Sequence, residues 1–61
     1  MKFEIIIKKN TYFLRLIDEM FDGGHRDFRI YEATSAEPFT KWQGFKLPLN
    51  AEQFAALVAR L

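Results

Sequence analysis

The chain has no cysteine, one serine, one histidine, two prolines and three glycines among its 61 residues. Without cysteine, neither a disulfide framework nor a thiolate metal site can stiffen it. A chain this short allows one domain whose core is only marginally able to hold a fold, so association with a second copy is the expected staple. The lone Ser35 and the lone His25 leave hydrolytic triads and dyads without components. Little concave surface is available to desolvate a catalytic carboxylate, and a non-enzyme without cofactor is expected. A surplus of one charge is also lacking: nine Lys and Arg against eight Asp and Glu leave +1. Any attraction to a polyanion then depends on where the charges sit. The longest aliphatic run, Ile5-Ile6-Ile7, is too short for a membrane span or a secretory leader. The expectation is a soluble intracellular protein, cytoplasmic or nucleoid-associated, with no membrane partner.

Aromatic side chains are plentiful, at 16% with seven Phe, more flat surface than one helix can cover. Lys2 to Lys8 alternates around a β-branched centre and predicts a strand, with Lys9-Asn10 as a two-residue turn into a second strand, Thr11 to Ile17. That strand is expected to fray over Asp18-Glu19-Met20-Phe21. Asp22-Gly23-Gly24-His25 signals a turn, Arg26 to Ala33 a third strand, and Thr34 to Pro38 a loop. A fourth strand is expected from Lys41 to Leu49, with Pro48 at its end. Apolar residues 54, 57, 58 and 61 then fall on one helical stripe. Asn50 is placed as N-cap, Gln53 as the third residue of a capping box, and Leu49 with Phe54 as a hydrophobic staple. The expected fold is α+β: a four-stranded antiparallel meander sheet followed by one C-terminal helix (β-β-β-β-α), dimeric.

Alternation within strands sorts the side chains into two faces. Phe3, Ile5, Ile7, Tyr12, Leu14, Leu16, Phe28, Ile30, Phe45, Leu47 and Leu49 are expected to meet Phe54, Leu57, Val58 and Leu61 in the core. The opposite face carries Glu4, Ile6, Lys8, Phe13, Arg15, Ile17, Asp27, Arg29, Tyr31, Trp42, Gly44 and Lys46. Flat rings interleaved with cations suit single-stranded nucleic acid: Phe13, Tyr31 and Trp42 to stack bases, Lys8, Arg15, Arg29 and Lys46 to hold phosphates. The same composition suits a subunit or protein interface, where Arg and Tyr are enriched. Asp18, Glu19, Asp22, His25 and Asp27 crowd one turn, but they lack metal-ligand spacing and read as a solvated hairpin tip.

The segment Gly44-Phe45-Lys46-Leu47-Pro48-Leu49-Asn50-Ala51-Glu52-Gln53-Phe54 resembles the last strand and helix start of the transcriptional coactivator family called positive cofactor four. Asp27-Phe28-Arg29-Ile30-Tyr31-Glu32 resembles that family's central strand, with Arg29 on the position of a basic nucleic-acid contact. Thr11-Tyr12-Phe13-Leu14, the glycine turn and Phe28-Arg29-Ile30-Tyr31-Glu32 are similar to a PUR-domain repeat, whose members also build four strands and a helix. Both resemblances imply dimers that bind single-stranded DNA or RNA on curved sheets. Departures are the single Lys41 where the coactivators carry a basic cluster, and Ala51 where they have proline after the cap. Two functions are thus expected to compete: a homodimeric single-stranded DNA- or RNA-binding module of low sequence preference, in transcription or genome maintenance, and a small protein-interaction or inhibitor module that docks its aromatic face on a protein partner.

Overall fold

The computed structural model describes all 61 residues. Five strands and one helix follow in the order β1 (Lys2–Lys8), β2 (Thr11–Ile17), β3 (His25–Arg29), β4 (Phe39–Trp42), β5 (Phe45–Pro48) and α1 (Ala51–Arg60). The expected four-stranded meander is not what forms. Instead β1, β2 and β3 make one antiparallel sheet and β4 and β5 a second. A single bridge joins the two, in which Tyr31 and Phe39 exchange both backbone hydrogen bonds (2.7 and 3.1 Å).

Two local causes split the sheet. Beyond the bridge, Glu32 takes a positive φ of 51° and turns the chain away, so the expected third strand to Ala33 ends early. Ser35 holds the turn by donating its N–H and its hydroxyl to the Glu32 carbonyl (3.0 and 2.8 Å). The expected fourth strand is instead a hairpin folded at Gln43-Gly44, with φ of 49° and 84°. Two consecutive positive φ values are the signature of the turn that matches strand twist, and glycine accepts the second without a Cβ clash. Lys9-Asn10 turns the first hairpin in the same way (φ 48° and 64°). A short 3-10 turn at Asp22–Gly24 leads into β3.

Each two-residue turn sets the alternation of hydrogen-bonded pairs behind it. In the first hairpin Lys8 closes on Thr11, which leaves Ile5, opposite Leu14, with its backbone groups pointing to the free edge of β1. Arg60 of α1 reaches that edge and donates Nη1–H to the Ile5 carbonyl (2.9 Å). In the second hairpin Phe39 bonds outward to Tyr31, so its partner Pro48 needs no N–H.

The helix begins where capping predicts. The Asn50 side chain accepts from the Gln53 N–H (2.9 Å) and the Gln53 side chain accepts from the Asn50 N–H (3.0 Å). Leu57, fully buried, packs with Ile5, Leu14 and Ile30 to form the core, and Phe3, Tyr12, Leu16, Ala33, Leu49 and Ala56 pack around it. The rest of the expected core does not close. Ile7, Phe45, Leu47, Phe54, Val58 and Leu61 stay exposed: the helix lies against β1, and the β4–β5 hairpin forms a sheet of its own. No helix is long and apolar enough to cross a membrane.

Candidate nucleic-acid interface

Strand register places one outer face across both sheets. Ile6, Phe13 and Arg29 form one cross-strand row, and Glu4, Arg15 and Asp27 the next. Arg29 leads two residues on to Tyr31, Tyr31 bridges to Phe39, and Lys41 faces Lys46 on the same side of the hairpin. The Tyr31 and Phe39 rings stack with centroids 5.4 Å apart and planes 14° apart. Three cations sit over this pair: Arg29 at 5.1 Å and Lys41 at 5.0 Å from the Tyr31 centroid, and Lys46 at 4.6 Å from that of Phe39. Ring quadrupoles attract cations at such distances, which draws three like charges into one patch.

Of the residues expected on this face, Arg29, Tyr31 and Lys46 come together here, with the half-buried Phe13 next to Arg29 in the adjoining strand. Lys8 lies exposed at the C-terminal end of β1, opposite Thr11 and across β2 from the cluster. Arg15 is on the face but is engaged. Its Nε and Nη2 donate to the two carboxylate oxygens of Asp27 (2.7 and 3.0 Å). Those hydrogen bonds, with the Coulombic pull of Arg15, His25 and Lys8, hold the Asp27 carboxyl below its usual range, and the same hydrogen bonds, with the negative charges of Asp27 and Glu4, raise the pKa of Arg15. A phosphate approaching Arg15 must compete with a carboxylate already in place.

Trp42 is not on this face. The turn at Gln43-Gly44 pairs Trp42 with Phe45 and therefore sets both, with Leu47 and Thr40, on the inner side. Trp42 meets the edge of Phe28 there (centroids 6.4 Å apart, planes 62° apart). Reading residues 41–49 as one strand put Trp42 and Lys46 on a shared face; a two-residue turn between them reverses the relation.

Phe39 and Lys41 are members of the cluster that strand alternation did not single out. Their signal was the Gln-Gly pair itself, which aligns Phe39 and Lys41 with Lys46 once it is read as a hairpin turn. Phe39 and Lys46 also line an open cleft of about 500 Å³ together with Glu32, Ser35 and Glu37. Elsewhere, the Asp18 carboxylate accepts the Met20 N–H (2.9 Å), and no three His, Asp or Glu side chains converge in a way that would hold a metal ion.

The chain is thus a small α+β domain with a basic aromatic outer face. No protein-family model matches it, and no curated protein or solved structure does either.

Proposed function

We infer that this domain binds single-stranded DNA or RNA with low sequence preference, in the service of transcription or genome maintenance, and that it is a binding module with no catalytic activity. The observation that carries this is the stacked Tyr31–Phe39 pair with Arg29, Lys41 and Lys46 gathered over it. An exposed cation on a ring contributes about 0.5–1 kcal/mol. A stacked base contributes about 1–3 kcal/mol. A base therefore displaces a cation from the ring, and the freed ammonium or guanidinium pairs with the phosphate that arrives with it. Phe13, one strand away beside Arg29, extends the platform toward β1. In the adjoining cleft, Glu32 and Glu37 repel phosphate and accept hydrogen bonds from exocyclic base amines, which directs the backbone along the cationic side.

Anisotropy titration of a labelled single-stranded oligonucleotide of mixed sequence at two salt concentrations tests the reading. Binding is expected at low salt, with each of Arg29→Ala, Lys41→Ala and Lys46→Ala flattening the salt slope by about 0.7. No binding at low salt, or an unchanged affinity in the triple variant, would overturn it.

A further inference from the structure

We propose that the inner face is a self-association surface on which two copies of this chain meet trough to trough. Its floor is Leu14, Leu16 and Phe28, with Trp42 and Leu47 of the hairpin forming one wall. The helix packs on the β1 side of the same sheet face. With about 3.6 residues per turn, Phe54, Val58 and Leu61 lie on one flank of the buried Leu57 and Arg60 on the opposite flank. Arg60 is anchored to Ile5 at the outer edge of β1, so the apolar flank is turned inward, toward β2, β3 and the hairpin.

Three features select a second copy as the occupant. The lining of the groove carries no charge, so an oppositely charged partner gains nothing there. The face also holds both halves of a fit: an unfilled apolar groove of about 100 Å³ and, beside it, the Phe45 ring, 71% exposed. A single aromatic ring is the size of group such a space accepts. A knob and its hole on one surface satisfy the requirement of a two-fold contact, in which each patch must complement itself. Area gives the third. A monomer of 7.2 kDa is expected to expose about 4,100 Å². This chain exposes 4654 Å², a surplus of roughly 500 Å² on the scale of the 800 Å² or so that one partner contributes to a stable interface. The arrangement leaves the outer face of each copy open and does not depend on what that face binds.

Sedimentation velocity of the full chain without oligonucleotide decides it. At about 50 µM the wild type is expected at twice the 7.2 kDa of one chain. Phe45→Glu is expected to give a monomer with unchanged helical circular dichroism, its dissociation constant weakened at least roughly tenfold. Met20→Glu, 81% exposed and not among the residues that line the groove, is expected to remain dimeric. A wild type still monomeric at about 100 µM, or a Phe45→Glu dimer of undiminished strength, overturns the proposal. Should Phe45→Glu fail to fold, Leu47→Lys carries the same test with the same two outcomes.

Discussion

Arg15 and Asp27 stand opposite each other across β2 and β3 and close a two-pronged ion pair, Nε to Oδ1 at 2.7 Å and Nη2 to Oδ2 at 3.0 Å. The pair divides the outer face into a neutralised zone over the main sheet and a cationic zone around Tyr31 and Phe39. If the face binds a polyanion, Asp27→Asn releases Arg15 and removes a negative charge at once. Tighter oligonucleotide binding and a salt slope steeper by about 0.7 are expected for that variant. Arg15→Ala is expected to weaken binding less than Arg29→Ala. Equal losses would show that Arg15 leaves Asp27 to reach the ligand.

The same pair governs the acid limb of stability. Asp27 titrates below the ordinary 3.8 in the folded chain because Arg15 donates to both of its oxygens. A carboxyl group whose pKa is lower folded than unfolded stabilises fully above the unfolded value and loses that contribution as pH falls through the folded one. Wild type and Asp27→Asn should therefore diverge in the pH dependence of stability only below about pH 4. Urea melts between pH 3 and 6, with carbon-detected titration of the Asp27 carboxyl, measure this. A wild-type slope as flat as the variant's there would remove the ion pair from the account.

Phe39 is the sharper test of the aromatic platform, since it stacks on Tyr31 and lies under Lys46. Phe39→Ala is expected to cost about 1–3 kcal/mol of oligonucleotide affinity, while Trp42→Ala, on the other side of the hairpin, costs little. Quenching of Trp42 fluorescence by bound oligonucleotide would contradict this placement.

The helix start offers a prediction about stability alone. Asn50→Ala removes the acceptor of the Gln53 N–H and is expected to cost about 1 kcal/mol. For a domain of this size that lowers Tm by roughly 4–8 °C. Asn50→Asp, which keeps the acceptor, should melt near the wild type in calorimetry.

What could be read from the chain alone is what depends on near neighbours. Asn50 and Gln53 are three residues apart, and their capping box needs nothing beyond the first turn of the helix. Lys9 and Asn10 turn the first hairpin from within, and alternation carries that pairing through β1 and β2. Arg29, Tyr31 and Lys46 were visible as a mixture of cations and rings for the same reason, since composition and period are local properties. Tertiary structure decided what neighbours cannot encode. Arg15 and Asp27 are twelve residues apart, and only the β2–β3 register sets them opposite one another. Trp42 exchanged faces because a two-residue turn, and not a continuous strand, separates it from Lys46, and a side-chain period of two converts any such shift into a reversal. The exposure of Phe45, Phe54 and Val58 likewise follows from where the hairpin and helix dock, which is a balance among distant surfaces. Local spacing determined the elements and the chemistry available; the docking of those elements determined which charges are already paired and which apolar surface is left open.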